Sequence, residues 1–524
     1  MTALDPTVTG STPTVPGASP EAFRPELHFA ARDTWLNDPN GLIYHGGLFH
    51  LYFQNNPFGN VWGNMSWGHA TSADLVTWRE HPVAIPCDER EDVFSGSVVF
   101  DAHNTSGLGT SDQPPLVAVY TSAFRNGAGH DGIQAQSIAF SLDGGYRWTK
   151  HAGNPVLSRA SPDFRDPKVF WYSGEGSSYW VLVAVEATQH LVVLYRSDDL
   201  LAWEHLSDFG PANATGGVWE CPDLFPLPVR DEPGASAWVL TVNLSPGGPN
   251  GGSAGQYFVG DFDGVSFTPH STVPPGPDDG ARLREYGWLD WGRDFYAAVA
   301  FTDAPDDRRI LLGWMNNWEY ANEIPTSPWR SAMSLPRELS LVRTAAGLRL
   351  AQRVPAEVER AAFPAFAAER TPVDLDVLVD EVRAVPAPDS VAMRIDATFR
   401  PGSATEFGLV VRGAALGGSD DAAGGTRIGI RPGEGVILLD RTRSGDTGFS
   451  AAFPSVETAP VAALDGAYRL TVYTDRCSVE VFAEDGLVTL TDLVFPAESA
   501  TAISVYASGG DAEVTDLRIT AAIR

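Results

Sequence analysis

The sequence predicts an all-β protein with two domains, a five-bladed β-propeller over residues 26–345 and a β-sandwich over residues 371–524. Helical periodicity is nearly absent, and short apolar or alternating runs are separated by clusters of Gly, Pro, Asn and Asp. This pattern is typical of many short antiparallel strands. A length of 524 residues also exceeds what one hydrophobic core usually serves. The two observations together indicate two β domains in one chain.

A weak internal repeat organises the first domain. Three segments run from a Ser through an Asp-containing turn to a Trp, and a looser fourth copy ends in Phe: Ser72–Trp78, Ser141–Trp148, Ser197–Trp203 and Asp261–Phe267. A spacing of about 60 residues suits one four-stranded blade per repeat and gives roughly five blades. Asp-Gly hairpins also recur in other all-β proteins, so the repeat favours a propeller without excluding other sheets.

The segments outside the two domains differ in composition. Residues 1–25 are rich in Thr, Pro and Gly, and we expect a flexible leader that lacks the basic and apolar parts of a signal peptide. Residues 346–370 are rich in Ala and Glu and predict a linker or one short helix. As written, the sequence favours a cytoplasmic protein, or a secreted one if a signal peptide has been removed.

Charge and cysteine content narrow the possible partners. The formal net charge of −30 disfavours nucleic acid and an anionic membrane, and no apolar run approaches the ~20 residues that span a bilayer. The three cysteines, Cys87, Cys221 and Cys477, are widely spaced and form no CxxC pair. We therefore predict a neutral ligand, with no cofactor, no metal and no disulfide framework. The sequence does not indicate an oligomeric state.

Three acidic tracts share a composition: a carboxylate, a Pro one or two positions later, and a nearby aromatic residue. They are Asp38 in Trp35–Gly41, Asp166 in Asp163–Lys168 and Glu220 in Gly216–Asp223. Each adjoins a strand in a different predicted blade, and such positions converge on the central channel of a propeller. Two carboxylates beside a neutral ligand, without a metal motif or phosphate loop, meet the requirement for cleaving a glycosidic bond.

Taken singly, each tract also has a simpler interpretation. Asp-Pro-Asn-Gly around Asp38 is a strong turn former, and Asp166 beside Arg165 suits a surface ion pair. Glu220 could belong to a capped turn, although partial burial beside Trp219 would suit a general acid. From these residues alone, the turn and the catalytic interpretations both stay open.

The same three tracts resemble the signature motifs of glycoside hydrolase family 32, which contains invertases, levanases and exo-inulinases. Further segments resemble the family in the expected order: Phe53–Pro57, Trp62–Ala70, Phe94–Ser97, Gln256–Gly264, Gly292–Ala297, Trp314–Tyr320, Pro325–Arg330 and Asp475–Phe482. The resemblance covers residues 26–500 and implies a five-bladed propeller followed by a β-sandwich.

The resemblance implies a retaining, exo-acting β-fructosidase. Its substrates would be terminal β-D-fructofuranosyl residues of levan, inulin, fructo-oligosaccharides and sucrose. It assigns Asp38 as nucleophile, Glu220 as acid/base and Asp166 as transition-state stabiliser in a double displacement through a covalent fructosyl-enzyme. The nearest alternative is a fructosyltransferase that uses the same carboxylates with a sugar acceptor. An inactive carbohydrate-binding relative is disfavoured because all three carboxylates are present.

The resemblance also implies a pocket for the terminal fructose unit. Its predicted members are Asn37, Gln54, Trp62, Ser95, Arg165 and Trp314. Amides and a hydroxyl suit the sugar hydroxyls, the guanidinium suits a carboxylate, and the indoles suit apolar walls.

Overall fold

The structure is a computed structural model that describes residues 20–127, 129–174, 176–273, 278–364, 373–414 and 424–523. Its strands form five small sheets, followed along the chain by two six-stranded sheets. Neighbouring strands within each sheet are antiparallel.

Each of the five small sheets is built from consecutive strands. The first contains β1 (Trp35–His45), β2 (Leu48–Asn56), β3 (Ser66–Ser72) and β4 (Trp78–Ile85). The second contains β5 (Glu91–Phe100), β6 (Leu116–Phe124), β7 (Gln134–Ser141), β8 (Thr149–Lys150) and β9 (Leu157–Ser161). The third contains β10 (Phe164–Gly174), β11 (Ser177–Glu186), β12 (Leu191–Ser197) and β13 (Glu204–Phe209).

The fourth and fifth sheets are separated by one short helix, α1 (Gly280–Leu283). The fourth contains β14 (Val218–Pro228), β15 (Ser236–Ser245), β16 (Ala254–Phe262) and β17 (Phe267–Pro269). The fifth contains β18 (Tyr296–Ala300), β19 (Ile310–Met315), β20 (Ala332–Met333), β21 (Arg337–Thr344) and β22 (Gly347–Arg353).

The first strands of the five sheets form a closed ring. β1 contacts β5, β5 contacts β10, β10 contacts β14, β14 contacts β18, and β18 returns to β1. Parallel bridges between Trp35 and Arg330 and between Ile43 and Thr302 join the first sheet to the fifth. The predicted five-bladed propeller is confirmed, with β1, β5, β10, β14 and β18 lining its central channel.

The sequence repeat lies at the turn between the third and fourth strands of the first three blades. In each turn the Ser hydroxyl bonds the Asp carboxylate, at 3.0, 2.9 and 3.1 Å, and the Trp indole donates to a backbone carbonyl three residues earlier. In the fourth copy, Asp263 accepts backbone hydrogen bonds from Val265 and Ser266, and Phe267 is buried. An Asx turn therefore closes these blades.

Each of the five innermost strands contains a β-bulge near its beginning. In each bulge the inner strand advances by three residues while its neighbour advances by two, so one residue of the inner strand has no partner. The bulges lie at Leu36–Pro39, Val93–Gly96, Arg165–Lys168, Glu220–Asp223 and Tyr296–Val299. Three of these bulges hold a non-glycine residue in the left-handed region, with φ of 63° at Asp166, 44° at Cys221 and 51° at Ala297. Bulges of this kind redirect side chains and recur beside active sites.

The second domain consists of the two six-stranded sheets, in agreement with the predicted sandwich. One sheet contains β23 (Val373–Val377), β25 (Met393–Pro401), β30 (Tyr468–Thr474), β31 (Ser478–Ala483), β32 (Val488–Leu493) and β34 (Ala512–Ala521). The other contains β24 (Val382–Val385), β26 (Glu406–Gly413), β27 (Thr426–Arg431), β28 (Val436–Asp440), β29 (Val456–Pro460) and β33 (Ala502–Ser508). Within the described ranges, no helix is long and apolar enough to cross a membrane.

The structure changes the predicted end of the propeller and the predicted end of the N-terminal leader. The fifth sheet ends at Arg353 rather than at residue 345, because Gly347, with φ of 104°, belongs to a tight hairpin between β21 and β22. The predicted linker 346–370 thus contains β22 and then helix α2 (Ala356–Ala362), and its residues 365–370 lie outside the described ranges. Residues 1–19 of the predicted leader also lie outside them, whereas Phe23 is buried against Phe495.

A buried ionic network joins the propeller to the sandwich. His28 lies between Asp475, at 2.7 Å, and Glu480, at 2.8 Å. Arg337 pairs with Asp290 at 2.8 Å and with Glu480 at 2.9 Å. All five side chains are almost completely removed from solvent. Since a buried charge is stable only when it is paired, these residues fix the two domains in one arrangement.

Replacing Arg337 by Met should destabilise the protein strongly, because Asp290 and Glu480 would keep buried negative charge without a partner. We expect a loss of about 3–5 kcal/mol in the free energy of unfolding, measured by urea denaturation. Arg343→Met is the matched control, since Arg343 lies in the same strand and pairs with Glu232 at the surface. It should cost at most about 1 kcal/mol. Equal losses in the two variants would contradict the proposed importance of the buried network.

His28 should make stability depend on alkaline pH. Burial alone would lower its pKa, but Asp475 and Glu480 raise it from the ordinary 6.5 to about 9. The stabilisation from protonated His28 is therefore complete below pH 6.5 and is lost as the pH rises through about 9. The difference in the free energy of unfolding between the wild-type protein and a His28→Gln variant should shrink across that pH interval. An advantage independent of pH would show that His28 is neutral in the folded protein.

Candidate active site

The bulges bring a set of polar side chains together at the mouth of the channel where the innermost strands begin. Asp38, Ser95 and Asp166 lie within bulges, whereas Glu220 and Tyr296 directly precede one. Each residue comes from a different blade. The three predicted carboxylates thus meet at one site, although they are far apart in the sequence.

Among the described residues, the groups that donate hydrogen bonds to Asp38 are all neutral. The Asn37 amide donates to Oδ1 at 3.0 Å, and the Ser95 hydroxyl donates to Oδ2 at 2.7 Å. The Cys221 thiol lies 3.7 Å from Oδ2, and Asn37 is itself held by the Trp35 indole at 2.7 Å. Burial raises the pKa of Asp38, and the nearby negative charge of Glu220 raises it further. These donors orient the carboxylate without neutralising its charge.

Glu220 has a different environment. Arg165 donates to Oε1 from Nε at 3.2 Å and from Nη2 at 3.0 Å, and the Tyr296 hydroxyl donates to Oε2. About a quarter of the side chain is exposed, at 24%. A cation and a phenol therefore hold both carboxylate oxygens, at a position that solvent can reach.

Asp166 is more deeply buried than Glu220 and lies near Arg165 and the other two carboxylates. Its Oδ2 accepts a hydrogen bond from the Cys221 backbone at 3.0 Å and lies 3.8 Å from Arg165 Nε. Burial raises the pKa of Asp166 to about 7, against the opposing effect of Arg165 and with the help of Glu220 and Asp38. The protonation of Asp166 therefore depends on the charges of Arg165, Glu220 and Asp38.

Five of the six predicted pocket residues fall into three groups. Asn37, Ser95 and Arg165 contact the carboxylates directly, as described above. Gln54 is buried and donates to the Val93 carbonyl at 3.0 Å, so it supports the bulge that carries Ser95. Trp62 is 39% exposed at the rim.

Trp314 differs from its prediction as a pocket wall. It has no exposed surface, because it packs behind Trp35, Tyr296 and Trp318, with ring centroids at 6.1, 6.4 and 4.8 Å. In this structure the half-buried Trp318 covers it. Trp314 therefore supports the wall from behind.

Sequence reasoning did not single out Tyr296 or Cys221. Tyr296 reaches Glu220 only because the fifth blade closes the ring, and no local pattern indicates that contact. Cys221 follows Glu220 directly, and its backbone and thiol link Asp166 to Asp38. Cys221 adopts a left-handed conformation and is followed directly by Pro222, the Pro of this acidic tract.

Two unlike carboxylates beside a solvent-reachable mouth can act as a nucleophile and a proton donor. Asp38 is oriented by neutral donors, and Glu220 is held by Arg165 and Tyr296 at a position that solvent can reach. Over the described residues, no cluster of His, Cys, Asp and Glu has an arrangement that could hold a metal ion.

Comparison with known proteins identifies the family. Residues 28–353 match the glycosyl hydrolases family 32 N-terminal domain, and residues 383–521 match the family 32 C-terminal domain. A levanase from Bacillus subtilis (strain 168) is 43% identical over 95% of this chain and 70% of its own length. An extracellular exo-inulinase from Aspergillus ficuum is 41% identical over 95% of this chain and 94% of its own length.

Solved structures agree over the whole fold. The exo-inulinase from Aspergillus awamori has a TM-score of 0.86 at 37% identity, covering 96% of this chain and 98% of that one. A β-fructofuranosidase from Schwanniomyces occidentalis has a TM-score of 0.80 at 30% identity, covering 97% and 100%. With both family domains matched in order, this chain belongs to glycosyl hydrolase family 32.

Proposed function

We propose that this glycoside hydrolase is an exo-acting β-fructosidase that releases terminal β-D-fructofuranosyl residues with retention of configuration. The observation that carries the proposal is the pairing of two carboxylates in unlike settings, Asp38 among neutral donors and Glu220 against Arg165 and Tyr296. The substrate class is supported by relatives named levanase, exo-inulinase and invertase. Levan, inulin, fructo-oligosaccharides and sucrose all present the same terminal fructosyl unit.

In the first step, a carboxylate oxygen of Asp38 attacks the anomeric carbon C2 and the glycosidic C2–O bond breaks. Glu220 transfers its proton to the departing oxygen, so the leaving sugar is neutral. Arg165 and Tyr296 then stabilise the Glu220 carboxylate that remains. The product of this step is a fructosyl ester on Asp38.

In the second step, Glu220 takes a proton from water while the water oxygen attacks C2. The ester bond to Asp38 breaks, and fructose leaves with its original β configuration. We assign Asp166 as the stabiliser that hydrogen-bonds the fructose hydroxyls, because it lies next to both reacting carboxylates and is held by Cys221. Asn37, Gln54, Ser95, Arg165 and the rim residue Trp62 complete the proposed fructose pocket.

Hydrolysis is proposed in preference to fructosyl transfer because the relatives carry names of hydrolytic enzymes. Product analysis at high sucrose distinguishes the two, since transfer would yield longer oligosaccharides instead of free fructose. The Aspergillus relatives are named as extracellular, so the prediction of a cytoplasmic location receives no support from them.

Asp38→Asn and Glu220→Gln should each lower turnover by several orders of magnitude while the fold is retained. The measurement is fructose release from levan, inulin and sucrose, with circular dichroism as the check on folding. Asp208→Asn is a suitable control, because Asp208 pairs with His205 on the outermost strand of the third blade. Near-normal activity of a purified Asp38→Asn variant would overturn the assignment of the nucleophile.

Ser95→Ala should shift the acid limb of the kcat/KM profile to higher pH. The Ser95 hydrogen bond lowers the pKa of Asp38, which burial and Glu220 raise, and the nucleophile must be ionised to react. Loss of one hydrogen bond to a charged group corresponds to a shift of about one pH unit.

Ser97→Ala is the matched control for the Ser95 variant. Ser97 lies two residues further along the same strand, and its hydroxyl accepts from the Val169 backbone instead of contacting Asp38. It should leave the position of the acid limb unchanged. An unshifted limb in Ser95→Ala would show that Asp38 does not control it.

A further inference from the structure

A second cavity lies towards the other end of the propeller channel. Its volume is about 350 Å³, and it is lined by parts of β5, β10 and β14 together with the segment that follows β18. Along β10, Asp166 lies near the first residue, whereas the cavity residue Trp171 comes five residues later. At about 3.3 Å per residue, this separation is about 16 Å. The face of the cavity at Trp171 is therefore well separated from the candidate active site, and the lining nearest to the site is Lys168, two residues after Asp166.

A buried ion pair lies across the channel between the two sites. Lys168 Nζ lies 3.2 Å from Asp223 Oδ2 and also donates to the Ala300 carbonyl. Asp223 in turn accepts a hydrogen bond from the Ala300 backbone at 2.8 Å. These contacts cross-link the third, fourth and fifth blades. They form the floor of the second cavity, which we call the distal cavity.

The side of the cavity carries aromatic surfaces that are already held in place. Trp171 is 42% exposed, although Trp180 packs edge-on against it at 4.9 Å. The Trp180 indole is fixed by a hydrogen bond to Thr105 at 2.9 Å. Trp238, on the next blade, packs against Phe262 at 5.0 Å. An exposed indole that its neighbours hold in place offers apolar contact at a low cost in entropy.

The cavity also has hydrogen-bonding groups without a protein partner. Arg309 and Asp303 lie at its edge, and over the described part of the chain neither side chain makes a hydrogen bond or ion pair. The positive charges of Lys168 and Arg309 are matched by Asp223 and Asp303, and His45 faces Asp303 from β1. This balance favours neither an anion nor a cation. A donor, an acceptor and aromatic faces together suit a hydroxyl-rich neutral ligand.

We propose that this distal cavity is a second, non-catalytic binding site for a neutral sugar. Trp171 contributes the stacking face, and Arg309 and Asp303 bind hydroxyl groups. That the sugar is a fructosyl chain rests on the proposed function, because such chains are then the neutral sugars that surround the enzyme. A polymer held there would keep the enzyme close to further chain ends.

The test uses the full-length Glu220→Gln variant labelled with 5-fluorotryptophan, so that the sugar is not consumed. The ¹⁹F signal of Trp171 is assigned by its loss in Trp171→Phe, and that of Trp62 in Trp62→Phe. A β-2,1-linked fructo-oligosaccharide is titrated, and in a parallel experiment sodium sulfate is titrated as a model anion. We expect the Trp171 and Trp62 signals to shift with different midpoints, and sulfate to leave the Trp171 signal unchanged.

Arg309→Ala should weaken the oligosaccharide response of Trp171 by about tenfold and leave that of Trp62 intact. Arg196→Ala is the matched control, because Arg196 pairs with Glu204 on the exposed side of the third blade. A Trp171 signal that does not move, that follows Trp62 with the same midpoint, or that responds to sulfate alone would overturn the proposal. Fructose release by the wild-type enzyme tests the proposed function separately, so the two can fail independently.

Discussion

The site depends on the β-bulge, one additional residue, in each of the five innermost strands. In a regular strand, successive side chains alternate between the two faces, and a bulge interrupts that alternation. All five inner strands contain the interruption near their first residues, and each contributes one carboxylate, hydroxyl or phenol to the site. The propeller ring then brings these positions within contact distance, although the residues span most of the first domain.

The strained backbone at the bulges is supported from two directions. Below the site, the buried Lys168–Asp223 pair and the Ala300 backbone connect three blades across the channel. Beside it, Tyr320 follows Trp318 in the segment that covers Trp314, and its hydroxyl donates to Asp294 and accepts from Arg441 of the sandwich. The sandwich thus stabilises an element of the pocket wall, which gives the second domain a structural role in the site.

The sequence allowed much of this architecture to be predicted, for identifiable reasons. Turn chemistry is local, so the repeated Ser-to-Trp turns of the blades were visible before the structure was known. The Pro one or two residues after each acidic residue was also visible. It marks the bulge, where strand pairing does not require a backbone N–H donor. The contact of Tyr296 with Glu220 was not predictable from local patterns, because it requires closure of the ring. The burial of Trp314 depends on Trp318, and the end of the fifth sheet at Arg353 depends on strand pairing.

The central claim is that the bulge in β1 presents Asp38 as the group that bonds to the sugar. Removing Glu220 should slow the second step more than the first when the leaving group needs no protonation, so the ester should accumulate. The measurement is mass spectrometry of peptides from a Glu220→Ala variant incubated with an activated β-fructofuranoside. The account predicts one fructosyl group on Asp38. A label on Asp166 or on any other residue, or steady turnover with no labelled peptide, would contradict it.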